Sequence, residues 1–314
     1  MSSAQFISVR RCVTIALVVM GVAAIGAQTV NRVAYYRDPA VHGDTVVFTA
    51  EGDLWTVPAV GGVARRLTSA PGTERGAKIS PDGKTVAFYA DYEGPTEVYT
   101  MPLAGGLPER RTWDGRVRPV AWAPDGRLVV STTRYAALHD ASLVLLASHG
   151  ERERIPLATA SDAAYSADGK SLFFTRLGDQ GSHTKRYQGG FTQNIWRWDG
   201  SGEAAPLTAD YLGTSRDPMV MNGRLLFVSD RGGVMNVFSA DLDGKGVKQE
   251  SHQKIFDVES ASSSDGHVVY ASAGELWSLD LATGQESRIP VTLQSDFDQM
   301  REHWVSKQIG RAHV

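Results

Sequence analysis

The chain has 314 residues, of which 42% are hydrophobic and 21% charged, and this composition is typical of a globular protein rather than a disordered one. The formal net charge of −3 gives no electrostatic reason to expect nucleic acid as a partner. Cys12 is the only cysteine, which excludes disulfides, cysteine-based zinc sites and a thiol nucleophile from the rest of the chain.

Residues 1–27 have the pattern of an export signal. Arg10 and Arg11 precede an apolar run at 13–25, and small residues then supply a cleavage site after Ala27. Because the apolar run is short for a span of about 20 residues, we expect cleavage rather than an uncleaved anchor. The mature protein would then be periplasmic or extracellular and would have no membrane contact.

A glycine turn recurs through the body of the chain. It falls at Gly43, Gly83, Gly126, Gly169, Gly223 and Gly266, with successive spacings of 40, 43, 43, 54 and 43 residues. That spacing matches the roughly 40–45 residues of a four-stranded propeller blade. In the turn SPDGK, proline supplies the fixed φ of the second turn position and glycine accepts a positive φ.

Each repeat continues with the same order of segments. A strand rich in β-branched and aromatic residues follows the turn, then a second strand, a second glycine turn and a short edge segment. No amphipathic helix separates the strands. We therefore predict an all-β fold, a six-bladed β-propeller of four-stranded antiparallel blades with TolB- or WD40-like repeats. The propeller spans 33–294, with blades at about 33–74, 75–116, 117–161, 162–215, 216–258 and 259–294.

Large aromatic residues recur at what we take to be matching positions of the repeats. They are Trp55, Tyr99, Trp122, Phe174, Trp196, Phe238 and Trp277. We expect them to pack between blades rather than to stack on a ligand, since one blade cannot bury both of its faces alone. Each end repeat has its own four segments, so we also predict that no swapped strand closes the ring.

The fourth repeat is 11 residues longer than its neighbours (54 against 43), and the excess lies around 177–194. Insertions in repeat proteins fall on loops, where they either mark a binding face or are simply tolerated. Within the insertion, Lys185, Arg186 and Tyr187 are candidates for contact with a peptide carboxylate, because basic side chains pair with carboxylates. A solvated loop with no ligand is the alternative.

No motif of a catalytic or cofactor site is found in the sequence. It has no G-x-S-x-G, no H-E-x-x-H and no G-x-x-x-x-G-K, and its eight histidines have no close ligand spacing. The segment DLDGKG at 241–246 lacks the later ligands of a calcium loop and is interpreted as a β-turn. We therefore assign no catalytic, metal or cofactor-binding residue to this chain.

Several segments resemble one protein family. SPDGKTVAFYADYEGPTEVYTMPLAGG resembles the repeat of TolB-like and tricorn-like propellers, and YYRDPAVHGDTVVFTAEGDLWTVPAVGG resembles the first blade of tricorn-type proteases. KRYQGGFTQNIWRW resembles a later segment of that propeller, and SDFDQMREHWV resembles the linker to the family's second propeller. The resemblance covers 33–308, essentially the whole mature chain.

The resemblance implies a role within a larger enzyme. Members of this family are oligomeric serine peptidases with a six-bladed propeller, a seven-bladed propeller, a PDZ domain and a C-terminal catalytic domain. This chain would be the six-bladed propeller, which gates or scaffolds the access of peptides or unfolded polypeptide, with no catalytic residue of its own. Its partners would be the rest of the parent protease and further copies, and the family's type member is cytoplasmic.

The C-terminal residues complete these expectations. The resemblance makes 295–308 a linker toward a second propeller, whereas IGRAHV at 309–314 matches the translation of a common sequencing adapter and is interpreted as an artefact. Two other functions stay open. One is a TolB-like interaction propeller with no linked protease, and the other is the propeller of a prolyl-oligopeptidase-like hydrolase.

Overall fold

The computed structural model describes residues 35–135, 141–178 and 186–294, and all regular structure in these ranges is β. No helical segment of the length and hydrophobicity needed for a membrane crossing is found in these ranges. The export signal at 1–27, the linker at 295–308 and the terminal hexapeptide at 309–314 lie outside them, so those three assignments stay predictions.

The first three blades come from the N-terminal half of the described chain. Blade 1 contains β1 (Arg37–His42), β2 (Thr45–Ala50), β3 (Asp53–Pro58) and β5 (Arg65–Arg66), with β4 (Gly62–Val63) beside it. Blade 2 contains β6 (Glu74–Ile79), β7 (Thr85–Ala90), β8 (Glu97–Pro102) and β9 (Glu109–Arg110). Blade 3 contains β10 (Arg118–Trp122), β11 (Leu128–Thr132), β12 (Ser142–Leu146) and β13 (Arg152–Arg154).

The remaining three blades follow the same order. Blade 4 contains β14 (Ala163–Tyr165), β15 (Leu172–Thr175), β16 (Ile195–Trp198) and β17 (Ala205–Pro206). Blade 5 contains β18 (Ser215–Met221), β19 (Arg224–Ser229), β20 (Asn236–Asp241) and β21 (Lys248–Gln249). Blade 6 contains β22 (Val258–Ser264), β23 (His267–Ser272), β24 (Glu275–Asp280) and β25 (Glu286–Arg288), and β26 (Val291–Thr292) follows it. The predicted six-bladed, four-stranded architecture is confirmed.

The hydrophobic core is divided into six clusters, and each cluster joins two neighbouring blades. All seven predicted aromatic residues belong to these clusters or pack against them, so their role in packing between blades is confirmed. Two of them are not at matching positions, however. Trp122 lies on an inner strand and Phe174 on a second strand, whereas the other five lie on third strands.

The ring closes without a swapped strand, as predicted, because the first and last blades each have four strands of their own. The structure adds an unpredicted pairing between β26 and β4, which run parallel. The amide of Gly62 donates to the Pro290 carbonyl at 2.8 Å, and the amide of Ala64 donates to the Thr292 carbonyl at 2.9 Å. We call residues 61–64 and 290–292 the closing clasp.

Candidate functional site

The inner strands of the six blades form a closed ring in which each strand contacts the next. Two cavities lie inside this ring, a mouth cavity of about 560 Å³ and a lower cavity of about 670 Å³. The mouth cavity is lined partly by the end of β11 and the residue after it (131–133), and the lower cavity by hairpin turns at the opposite ends of the inner strands, such as 222–223. The candidate site is therefore an axial channel.

Six residues line both cavities, and we call them the waist. They are Lys78, Val120, Ala163, Pro218, Met219 and Ala261. Because the two cavities share these residues, the cavities adjoin at this level of the ring. Five of the six are apolar and buried, while the lysine is half-buried.

Bulges near the start of the inner strands shape the mouth. The pairing of inner and second strand shifts register in blades 1, 2, 3, 5 and 6. In blades 1 and 5 the shift coincides with the same string, Arg-Asp-Pro at 37–39 and 216–218. Its aspartates, Asp38 and Asp217, have φ of 50° and 52°, which aspartate tolerates better than most residues. Proline suits an unpaired bulge position because it has no N–H to donate.

A charged residue lies at or beside the start of each of the six inner strands. They are Arg37, Arg75, Arg118, Asp162, Arg216 and Glu259. These side chains come from six different repeats, and the propeller brings them around one axis. Four of them, Arg118, Asp162, Arg216 and Glu259, line the mouth cavity, which is therefore polar and carries charges of both signs.

Hydrogen bonds and ion pairs across the mouth connect neighbouring blades. Arg118 forms an ion pair with Asp162 at 2.7 Å and donates to the Ser161 hydroxyl at 2.8 Å, which joins blades 3 and 4. Arg216 pairs with Asp217 at 2.9 Å and donates to the Glu259 carbonyl at 2.8 Å, which joins blades 5 and 6. These contacts hold the bulged inner strands in place around the opening.

The electrostatics of the mouth follow from these pairs. Burial alone would raise the pKa of Asp162, but the charge of Arg118 and its hydrogen bond hold that pKa below its ordinary value. The carboxylate therefore stays ionised beside its arginine. On the other side of the opening, the Tyr35 hydroxyl donates to a Glu259 carboxylate oxygen at 3.0 Å, and burial followed by this hydrogen bond raises the pKa of the tyrosine.

Two of the three sequence-predicted contact residues, Arg186 and Tyr187, are not part of the channel walls. The Arg186 Nε donates to the Gly233 carbonyl at 3.1 Å, so this side chain ties the insertion to blade 5. The Tyr187 ring folds back over Gly189. Neither side chain is among those lining the two cavities, whereas Lys185 lies outside the described residues. Their contact with a peptide stays a prediction.

One repeated string in the sequence could have predicted the channel mouth but was not among the motifs considered above. Arg-Asp-Pro occurs twice at the same place in a repeat, within the first residues of an inner strand. Across residues 35–135, 141–178 and 186–294, no group of three or more histidine, cysteine, aspartate or glutamate side chains is placed to hold a metal ion.

Comparison with known proteins identifies the family. A family model for the tricorn protease N-terminal β-propeller domain matches residues 33–285. Tricorn protease homolog 1 of Streptomyces coelicolor is 34% identical over 261 residues, which cover 81% of this chain and 24% of that protein. This chain therefore spans about a quarter of the length of that relative.

Two solved structures show the same fold. The crystal structure of the tricorn protease matches with a TM-score of 0.74 at 22% identity, over 81% of this chain and 26% of that chain. TolB from Acinetobacter baumannii matches with a TM-score of 0.53 at 19% identity, over 68% of this chain and 53% of that chain. From the family model and the sequence relative, we conclude that this chain belongs to the family of tricorn protease N-terminal β-propeller domains.

Proposed function

We propose that this propeller is the non-catalytic domain of a longer exported serine peptidase, in which its axial channel admits peptides and keeps folded proteins out. The observation that carries this proposal is the channel itself, with its polar mouth and its largely apolar waist. A single extended chain is narrow enough for such a passage, whereas a folded domain is about 25 Å or more across.

The chemistry of the mouth supports a peptide as the occupant. An extended peptide presents backbone N–H and C=O groups that need partners when they leave water. The mouth offers carboxylates, guanidinium groups and the hydroxyls of Ser131, Thr132 and Ser161. These groups can replace water for many different peptide sequences, as a passage without strict sequence preference requires.

The proposal extends to the partners and location of the protein. Because the chain covers 24% of its Streptomyces relative, we propose that it works with the remaining parts of a protease and in a homo-oligomer. Export rests on the pattern at 1–27. N-terminal sequencing of protein secreted by an expressing cell tests it, and a mature chain that still begins at Met1 would contradict cleavage.

A removable label attached inside the mouth tests whether peptides bind in the channel. Thr133 lines the mouth, and the chain without Cys12 has no other thiol, so Cys12→Ser with Thr133→Cys accepts a bulky disulfide-linked label at one position. We expect labelling to weaken binding of a dye-labelled unstructured decapeptide by about tenfold or more, measured by fluorescence anisotropy, because the label fills a polar subsite. Reduction of the disulfide should restore binding.

The matched control carries the label outside the channel. Thr283 lies in an exposed turn of blade 6 and lines neither cavity, so labelled Thr283→Cys should bind the peptide like the unlabelled protein. Equal binding by the two labelled variants would refute the channel as the peptide site. That result would favour the second candidate function, a TolB-like interaction surface on the outside of the propeller, which the shared fold allows.

A further inference from the structure

Lys78 has an unusual position on the inner strand of blade 2. The register between β6 and β7 shifts between Arg75 and Lys78, which pairs with Ala87. Gly76 lies inside this bulge at φ 61°, and a Cβ there would be 2.6 Å from the Tyr89 ring. The bulge therefore depends on a glycine, and it sets the register that places Lys78 in the channel wall.

Lys78 is the one charged residue among the six that form the waist. Val120, Ala163, Met219 and Ala261 are apolar and only 4–8% exposed, so the lysine lies in a largely apolar ring of side chains. A charge in such surroundings acts more strongly on another charge than it would in bulk water, because the local dielectric constant is lower.

Two carboxylates of the mouth are already paired with arginines. Asp162 is paired with Arg118 at 2.7 Å, and Asp217 with Arg216 at 2.9 Å. Within the described part of the chain, no ion pair includes the Lys78 ammonium group. The positive charge of Lys78 does act on the mouth. It contributes to lowering the pKa of Asp162, although its effect is smaller than those of burial and of Arg118.

We propose that Lys78 determines the specificity of the channel and favours peptide segments with acidic side chains over neutral or basic ones. The inference rests on the proposed function, in which peptides enter the channel. A peptide carboxylate at the waist would gain an ion pair and a charge-assisted hydrogen bond from the lysine. A peptide ammonium at the same point would meet a like charge in an apolar ring.

Three peptides that differ at one position provide the test. They are acetylated and amidated, so that only the central residue, glutamate, glutamine or lysine, changes the charge. We expect the native protein to bind the glutamate peptide about fivefold more tightly than the glutamine peptide, as for a partly buried ion pair, and the lysine peptide more weakly still. Lys78→Met should remove this order, and Lys78→Glu should reverse it.

The control is a lysine of the same blade. Lys84 is exposed in the turn before β7 and lines neither channel cavity, so Lys84→Met makes the same charge change outside the channel. It should keep the full preference for the glutamate peptide. If Lys84→Met lost as much of the preference for the glutamate peptide as Lys78→Met does, the net charge of the protein alone would determine that preference. This result would overturn the proposal.

The native protein also gives a result that does not depend on any variant folding. Raising the ionic strength should reduce the preference for the glutamate peptide, since salt screens the ion pair. Equal affinity of the native protein for all three peptides overturns the role of Lys78 while leaving peptide binding intact. Failure of all three peptides to bind overturns the proposed function as well, so the two failures are distinguishable.

Discussion

At the scale of single residues, the most unusual group outside the channel is a buried carboxyl pair between blades 1 and 2. Glu74 is fully buried and shares a hydrogen bond with Asp53, which also accepts from Arg66 Nε at 2.7 Å. Thr68 and Tyr92 donate to the two carboxyl oxygens of Glu74 at 3.0 and 2.7 Å. Burial, with a further contribution from Asp53, raises the pKa of Glu74 to about 8 despite these donors.

This pKa makes the stability of the fold depend on pH. Glu74 binds its proton more tightly in the folded protein than in the unfolded chain, where its pKa is near the ordinary 4.5. Its contribution is therefore complete below pH 4.5, falls as the pH rises from 4.5 to about 8, and is lost above that. We expect the free energy of unfolding to fall by up to about 1.4 kcal/mol per pH unit over that window.

Glu74→Gln tests this assignment, because the amide stays neutral at every pH. Urea unfolding between pH 5 and about pH 9 should show a flatter pH dependence in this variant than in the native protein. Glu151→Gln removes an exposed carboxyl and should keep the native pH dependence. If the free energy of unfolding had the same pH dependence in the native protein and in Glu74→Gln, the assignment of a bound proton to Glu74 would be wrong.

At the scale of elements, a buried hydroxyl in each of blades 1, 2, 4 and 5 joins the outer strand to the strand beside it. The hydroxyl follows the outer strand and accepts from the backbone amide near the start of the third strand at 2.8–2.9 Å. The residues are Thr68, Thr112, Thr208 and Ser251. Because the outer strands have only two or three residues, this bond supplements a ladder that is too short to hold them alone.

Thr112 offers the clearest test of this bond. It is fully buried, accepts from the Val98 amide at 2.9 Å and donates to a carboxylate oxygen of Glu97. Thr112→Val keeps the shape but leaves the Val98 amide without its acceptor and removes one donor to the Glu97 carboxylate, which should cost about 1–3 kcal/mol in the free energy of unfolding. Thr112→Ser keeps the hydroxyl and should lose much less. Similar losses in the two variants would show that the hydroxyl contributes no more to stability than the packing of the methyl group.

At the scale of the whole molecule, the closing clasp joins the end of the last blade to the first. Ile289 and Val291 are buried in the same core cluster as Tyr36 and Trp55, so the segment after blade 6 completes the packing of blade 1. Gly61, at φ 93°, lies against Pro290 so closely that a Cβ would be 2.5 Å from the proline ring. The clasp therefore requires glycine both for its backbone and for its packing.

Gly61→Ala should open the clasp without unfolding the blades. We expect faster hydrogen exchange at the Gly62 and Ala64 amides, which donate to residues 290 and 292 in the native protein. Gly126→Ala is the matched control, since Gly126 has a similar φ of 86° but nothing within 4 Å of its Cβ position. Unchanged exchange at the two amides in Gly61→Ala would show that the clasp does not depend on this contact.

The amino-acid sequence by itself determined the blades. Turn glycines near every 43 residues and runs of β-branched residues act locally, because a turn type and a strand preference each depend on a few consecutive residues. The same local rules explain why the aromatic residues could be assigned to packing, although Trp122 and Phe174 do not lie at positions that match those of the other five. The family resemblance came from equally local strings, and the family match confirms it.

Only the tertiary structure decided the channel and its chemistry. The charges of the mouth come from six separate repeats, and a bulge shifts the register that places Lys78 at the waist. The clasp pairs two strands of two residues each, which are too short to leave any periodic pattern. Asp53 and Glu74 meet only because two blades pack face to face, so the raised pKa is a property of burial that no sequence motif encodes.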